Sequence, residues 1–85
     1  MYFVYLLQSL KSKRLYVGCA SNLKKRIDEH NNGKSFHTKQ YKPWRLLYLE
    51  GFISKKDAFG REKSLKLHAQ GLCRLKERLR DTLSM

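Results

Sequence analysis

The segment that decides the fold runs from residue 2 to residue 19 and reads YFVYLLQSLKSKRLYVGC. Two runs rich in aromatic, aliphatic and β-branched residues, 2–8 and 15–19, flank a polar stretch. This pattern predicts two strands joined as a β-hairpin. Because side chains alternate between the two faces of a strand, we expect Tyr5 and Tyr16 to look toward one region of the molecule.

The chain after the hairpin predicts a helix and then a surface loop. Ser21 or Asn22 can cap a helix, and the sequence NNG at 31–33 supplies residues that commonly end one. The stretch 33–42 is polar and basic, which predicts a loop over the surface that ends near Pro43.

The second half of the chain predicts one more strand and two more helices. Residues 44–52 are typical of a strand, and Trp44 is expected to anchor the core. Ser54 and Asp57 resemble a capping box that opens a helix to about residue 70, with Gly71 closing it. A last helix carries Leu72, Leu75, Leu79 and Leu83. The predicted fold class is α+β: a small central three-stranded antiparallel sheet flanked by helices, in the order β-β-α-β-α-α.

Size and composition predict one folded unit. The 85 residues of the chain suffice for a single domain spanning 1–85 and one core, and leave no room for a second domain. Hydrophobic residues make up 41% and aromatic residues 12%, which favours a folded globule over a disordered basic tail.

The charge balance predicts a polyanionic partner. Nineteen Lys and Arg against seven Asp and Glu give a formal charge of +12, more than solubility requires. A solvated basic surface and a membrane face are the alternatives. The positive residues are spread from Lys11 to Arg80 among aromatics and do not form one amphipathic basic helix, which favours nucleic acid over either.

The cysteines and the N-terminal stretch indicate the cellular compartment of the protein. Cys19 and Cys73 have no CxxC spacing, so we expect two reduced, partly buried thiols rather than a zinc site or a disulfide. The apolar stretch 1–7 has no basic flank before it and is too short to cross a membrane. A cytoplasmic protein is predicted.

Two charged residues fall on helix stripes that otherwise predict core positions. At about 100° per residue, Arg26 shares a face with Leu23, Ile27 and His30. On the next helix Glu62 falls within the stripe of Ala58, Leu65 and Ala69. Desolvating such charges is costly, which favours a functional cleft. The structural alternatives are an Arg26 that lies along apolar surface with its head in water, and a Glu62 that pairs with Arg26, Arg61 or Lys66.

These side chains fit the needs of phosphodiester cleavage. Glu62 can hold one divalent cation, Mg²⁺ or Mn²⁺, because Mg²⁺ often takes only one or two protein carboxylates. Arg26 offers a fork of donors that matches phosphate oxygens. Tyr5 or Tyr16 can accept a proton if nearby positive charge favours the phenolate. His30 can bind phosphate or assist the base, and a helix-end histidine near the dipole is the structural alternative.

Four short pieces of this sequence carry a family resemblance. Val4-Tyr5-Leu6 and Tyr16-Val17-Gly18 resemble the paired motifs of the GIY-YIG nuclease family. The run from Tyr16 to Arg26 followed by His30 is similar to the second strand and first helix of that family. Glu62 falls where the metal-binding glutamate of the family is expected, so the resemblance spans 2–67.

The resemblance implies a small antiparallel sheet with a single-metal hydrolytic site on one surface. It is strongest to small standalone bacterial proteins akin to the N-terminal nuclease domain of the excision-repair incision subunit, which implies a role in DNA repair. The sequence departs from the family pattern at Val4 and Leu6, and it has no Asn between Lys63 and Met85, where some members place one.

The predicted function is a divalent-metal-dependent DNA endonuclease of low sequence specificity. Branched, flapped or damaged DNA, or a protein partner, would direct it, and no membrane is involved. A nucleic-acid-binding module that cuts little or nothing is the first alternative, and a basic assembly protein on ribosomal RNA the second. The predicted phosphate-tracking residues are Lys24, Lys25, Lys39, Lys42, Arg45, Arg74 and Lys76.

Overall fold

The computed structural model describes residues 1–85, except the side chain of Ala69. Its strands are β1 (Tyr2–Ser9), β2 (Leu15–Ala20) and β3 (Trp44–Phe52), and its helices are α1 (Leu23–Asn31), α2 (Lys55–Leu67), α3 (Ala69–Arg78) and α4 (Arg80–Ser84). A short 3₁₀ helix, Lys39–Tyr41, lies between α1 and β3. The predicted α+β class and element order are confirmed. Among the described residues, none of the helices combines the length and apolar character that a membrane crossing needs.

The sheet is antiparallel throughout, with strand order β2-β1-β3. In the hairpin Tyr5 lies opposite Gly18, and Leu7 lies opposite Tyr16. Both tyrosines therefore belong to the same face of the sheet, as their spacing predicts. A bulge in the pairing of β1 with β3 falls between Leu6 and Leu7.

Each face of the sheet has its own core. Val4, Leu6 and Val17 pack with residues of α2 and α3, including Leu65 and Leu75. On the opposite face Tyr5, Leu7 and Trp44 form a second cluster, against which Leu23 and Ile27 of α1 pack. The predicted anchor Trp44 is indeed buried. Helices thus cover both faces and leave β2 and β3 as the sheet edges.

The helix starts follow the sequence closely. Asn22 caps α1 by accepting a hydrogen bond from the Lys25 amide, and Ser54 caps α2 by accepting one from the Asp57 amide. Each cap satisfies a backbone donor that has no partner inside its helix.

The helix ends differ from the prediction. The chain leaves α2 at His68, which has an extended backbone (φ −118, ψ 100), and Gly71 lies inside α3 rather than closing α2. The predicted last helix is also divided at Leu79. The turn at His68 lets α3 fold back so that Leu75 enters the core beside Leu65. Burial of Leu75 therefore outweighs the continuity that the helical pattern favours.

Several residues lie differently from their sequence predictions. Cys73 is exposed, so the prediction that both thiols are partly buried holds only for Cys19. The predicted surface loop contains the buried Thr38. Arg26 keeps a side chain that is 41% exposed, although its helix face otherwise packs inward. The side chain of Ala69, predicted on the apolar stripe of α2, lies outside the described residues.

Candidate active site

Tyr5 lies buried at the centre of the sheet, held between β2 and α1. A Cβ atom on residue 18 would come within 2.8 Å of three atoms of the Tyr5 side chain, so only glycine lets the phenol lie against β2. On its other side the Tyr5 hydroxyl makes a 3.0 Å hydrogen bond with His30 Nε2. Strand pairing, Gly18 and α1 together fix where this hydroxyl points.

His30 is fully buried and uses both of its ring nitrogens. Its Nδ1 makes a 2.7 Å hydrogen bond with the hydroxyl of Thr38, while Nε2 bonds to Tyr5. A buried ring with two occupied nitrogens does not reach a phosphate in the solvent. His30 therefore lies between Tyr5 and Thr38, and its role in the chemistry stays a prediction.

Protonation in this group follows from burial. Burial raises the pKa of Tyr5 to about 12, although the nearby Arg26 guanidinium acts to lower it. Burial also lowers the pKa of His30, and the positive charge of Arg26 lowers it further. At neutral pH the pair is a neutral phenol and a neutral imidazole, and the imidazole has one donor and one acceptor nitrogen.

Tyr16 lies beside this pair and is only partly buried. Its ring meets the edge of the His30 ring, with centroids 5.0 Å apart and an interplanar angle of 62°. Among the described side chains its hydroxyl has no hydrogen-bond partner, and it is not a buried unpaired atom. Of the two candidate tyrosines, Tyr16 is the one whose hydroxyl is open to solvent.

Arg26 brings a partly exposed positive charge to the same place. Its Nη1 lies 3.3 Å from Glu29 Oε1, three residues along α1. Exposed pairs of this kind contribute little energy, so the guanidinium can leave Glu29 for a stronger anion at little cost. The predicted alternative, an Arg26–Glu62 pair, is not formed.

Glu62 approaches the tyrosines from α2. Its side chain is 22% exposed and its Oε2 lies 3.0 Å from the Lys66 ammonium, one helical turn along. Its negative charge also acts to raise the pKa values of Tyr5 and Cys19, although burial is the largest cause for both. The carboxylate therefore faces the hairpin.

The edge position of β2 explains how side chains from opposite faces of the sheet meet. Tyr16 belongs to the α1 face, whereas α2 packs on the other face. Because no strand lies beyond β2, Lys66 reaches past the edge and places its ammonium 5.4 Å from the Tyr16 ring centroid. The candidate active site wraps around this edge, with Tyr16 in the middle.

The donors present fit a single hard cation of the Mg²⁺ type. Such an ion accepts one carboxylate and takes its other ligands from water and phosphate oxygen. Among the described residues there is no cluster of three or more His, Cys, Asp or Glu that forms a complete protein cage. Glu62 would supply the carboxylate of such a site, and its present partner is the Lys66 ammonium.

The predicted phosphate-tracking residues do not share one surface. Lys24 and Lys25 are exposed on α1, and Lys39 and Lys42 are exposed on the loop that follows it. Arg45 instead makes hydrogen bonds to Gln8 Oε1 and to the Met85 carbonyl, both at 2.9 Å, which ties the chain end to the sheet. The two remaining residues, Arg74 and Lys76, lie on α3.

Two residues that sequence reasoning did not assign to the site belong to it. Thr38 supports His30, and no local pattern marks a threonine eight residues after a histidine. In the sequence predictions Lys66 is only a structural partner of Glu62. Its position over Tyr16 depends on how α2 crosses the sheet edge, which the sequence does not show.

Comparison with known proteins shows which family this chain resembles. The family model of the GIY-YIG catalytic domain matches residues 1–71. A UPF0213 protein of Clostridium perfringens is 42% identical over 67 residues, which cover 78% of this chain and 71% of that protein. A UPF0213 protein of Staphylococcus saprophyticus is 36% identical over 80 residues, covering 82% and 96%.

A solved structure shares the same architecture. The solution NMR structure of a UPF0213 protein from Bacillus halodurans has 31% identity and a TM-score of 0.54, over 95% of this chain and 84% of that one. The two tyrosines, Arg26 and Glu62 lie within the matched residues 1–71. The chain therefore belongs to the GIY-YIG nuclease family.

Proposed function

We propose that this protein is a divalent-metal-dependent endonuclease that hydrolyses phosphodiester bonds in DNA. The observation that carries the proposal is that Lys66, the partner of Glu62, lies over the ring of Tyr16 on the edge strand β2, while the charges of Arg26 and Glu62 both act on the neighbouring Tyr5. Family membership supports the same class of reaction.

Each side chain has a task in the hydrolysis. Arg26 leaves Glu29 and binds oxygens of the scissile phosphate. Tyr16, acting as its phenolate, hydrogen-bonds the attacking water and takes its proton, which leaves a neutral phenol. The Lys66 ammonium lies 5.4 Å from the centre of this ring, where it stabilises the negative charge of the phenolate before the transfer. Tyr5, held neutral by burial and hydrogen-bonded to His30, acts as a positioning residue for its neighbours Tyr16 and Arg26.

The proposed hydrolysis forms one bond to phosphorus and breaks another. The water oxygen forms a bond to phosphorus, the bond from phosphorus to the leaving oxygen breaks, and that oxygen takes a proton from solvent. Glu62 holds the cation, Mg²⁺ or Mn²⁺, which when bound neutralises charge on the phosphate and the leaving oxygen. The chain offers no spare element for a major-groove reader, so DNA shape or a protein partner would set selectivity.

The Glu62–Lys66 ion pair favours one second candidate. A carboxylate that already has a cationic partner at 3.0 Å binds a metal ion less readily. A nucleic-acid-binding module with this fold that cuts weakly or not at all is consistent with that pairing and with the departures at Val4 and Leu6.

The test compares nicking of supercoiled, single-stranded and branched DNA with Mg²⁺ or Mn²⁺. Glu62→Gln and Arg26→Lys keep the shape or the charge of the side chain, and each should slow cleavage by about 100-fold or more. Glu77→Gln is the matched control, because it removes an exposed carboxylate on α3. Equal nicking by all four proteins rules out the proposed site, and DNA binding without any cleavage establishes the binding module.

A further inference from the structure

A cleft between α2 and α3 is lined by three arginines. It has a volume of about 340 Å³ and is lined by Arg61, Ser64, Gly71, Arg74, Leu75 and Arg78. The catalytic tyrosines and Glu62 are not part of it. This arginine cleft is strongly basic, and the proposed reaction does not use it.

One of the three guanidinium groups is fixed by an acid. Arg61 Nε and Nη2 donate to the two carboxylate oxygens of Glu50 on β3, each at 2.9 Å, and the Tyr48 hydroxyl donates to the same carboxylate at 2.7 Å. Burial acts to raise the pKa of Glu50, but these hydrogen bonds and the charges of Arg61 and Arg78 outweigh it and lower the pKa. Glu50 is therefore ionised and holds Arg61 rigidly.

The other two guanidinium groups have no such partner. Arg74 and Arg78 are exposed and lie four residues apart on α3, a spacing at which like charges repel. Within the described residues, neither has a carboxylate within salt-bridge distance. The cleft thus holds three positive groups against the single carboxylate of Glu50. An anion bound between Arg74 and Arg78 would remove their repulsion.

A phosphate group fits this arrangement better than other anions. Guanidinium forks match its oxygens in geometry, and several donors around one tetrahedral group can each find an oxygen. The cleft also faces a different direction around α2 from the candidate active site. Arg61 reaches β3, whereas its neighbour Glu62, about 100° around the helix, faces β2.

We propose that the arginine cleft is a second phosphate-binding site, in which Arg74 and Arg78, beside the fixed Arg61, hold one backbone phosphate of the bound nucleic acid away from the scissile bond. This inference rests on the proposed function, because it takes DNA as the partner. This second site would hold the DNA strand at a point away from the bond that is cleaved.

The first arm of the test uses inorganic phosphate and NMR. Titration of the metal-free protein should shift the amide resonance of Gly71 and the side-chain Nε–H signals of the arginines that line the cleft. Arg74→Gln combined with Arg78→Gln should abolish these shifts. Lys11→Gln combined with Lys13→Gln is the matched control, since it removes the same charge from the hairpin turn and should leave the shifts intact. Absence of shifts in the wild-type protein overturns the site.

The second arm measures binding to duplex DNA at several salt concentrations without a divalent metal. If the cleft holds one phosphate, the double arginine variant should reduce the slope of log K against log salt by about 0.9, and the double lysine control should not. Equal losses in both variants mean a general charge effect and overturn the proposal. Phosphate shifts with an unchanged slope show a site for free phosphate and overturn the nucleic-acid assignment.

The two binding measurements test the arginine cleft independently of the cleavage assay that tests the endonuclease. If the wild-type protein does not cut DNA while both binding arms give the expected results, the arginine cleft stands and the endonuclease assignment falls. If cleavage depends on Glu62 and Arg26 while both arms fail, the reverse holds.

Discussion

Gly18 shows how one residue without a side chain determines the position of another. The phenol of Tyr5 occupies the space that any Cβ at residue 18 would need, and His30 holds its hydroxyl from the other side. The glycine of the second motif is thus a steric requirement of the tyrosine of the first. This explains why the two motifs occur together on paired strands.

We expect Gly18→Ala to destabilise the protein by about 1–3 kcal/mol, because the added methyl group overpacks a buried site. Gly60→Ala is the control, since a Cβ there meets no atom within 4 Å. It should stabilise the protein by about 0.4–1 kcal/mol, as alanine favours the helix and restricts the unfolded chain. Urea unfolding followed by circular dichroism measures both, and equal effects of the two substitutions contradict this account of Gly18.

The raised pKa of Tyr5 predicts a loss of stability at high pH. Burial raises the pKa of Tyr5 in the folded protein to about 12, whereas in the unfolded chain the pKa of this phenol is near 10.0. The stabilisation is therefore complete below pH 10 and is lost as the pH rises through 12. Tyr5→Phe removes the titrating group, so the stability difference between wild type and variant should shrink over this range. A constant difference from pH 9 to 12 would disagree with the burial of an unionised Tyr5.

At the scale of the elements, α1 owes its position to its last residues. Asn31 accepts a hydrogen bond from the Trp44 amide at 2.5 Å and donates one to the Trp44 carbonyl at 3.1 Å. Next to it His30 is tied to Thr38 of the following loop. The C-terminal end of α1 is therefore fixed to the start of β3, and Arg26, one turn earlier, is carried to its place near Tyr5.

Asn31→Ala should cost about 1–3 kcal/mol, because it leaves the two backbone groups of Trp44 without their partner. Its neighbour provides the control: Asn32 is exposed and caps α1 through its backbone amide, so Asn32→Ala should change the unfolding free energy by less than about 0.5 kcal/mol. Hydrogen exchange of the Trp44 amide should also become faster in Asn31→Ala alone. Unchanged exchange there would show that the side chain does not hold this junction.

The sequence predicted those features that depend on local periodicity and spacing. Strand alternation places Tyr5 and Tyr16 on one face, and the cap at Ser54 follows from its distance to Asp57. The contacts that complete the site are non-local. No local pattern shows that Thr38 meets His30, and no Gly or Pro at position 68 marks the break after α2. Tertiary packing decides both.

At the scale of the whole molecule, positive charge surrounds the sheet rather than filling one face. Lysines lie on α1 and the loop after it, and arginines line the cleft beside α3. The formal charge of +12 is therefore distributed around the candidate active site and beyond it. A nucleic acid that reaches the edge of β2 meets positive groups on more than one side.

This distribution predicts binding to DNA with a steep dependence on salt. If at least four phosphates are neutralised, the slope of log K against log salt is about −3.6 or steeper. Fluorescence anisotropy with a labelled duplex measures it, and an analogue of the same sequence with an uncharged backbone should not bind. A slope near zero would mean that the charge excess serves solubility and not a polyanionic partner.

The placement of α2 has a mechanical consequence. Arg61 and Glu62 are adjacent in sequence, yet one is anchored to β3 while the other faces the far edge at β2. Because both side chains belong to one helix, a rotation of α2 about its axis that moves one of them also moves the other. The two edges of the sheet are therefore linked through α2, and an anion bound beside Arg61 would change the alignment of Glu62 only by rotating this helix.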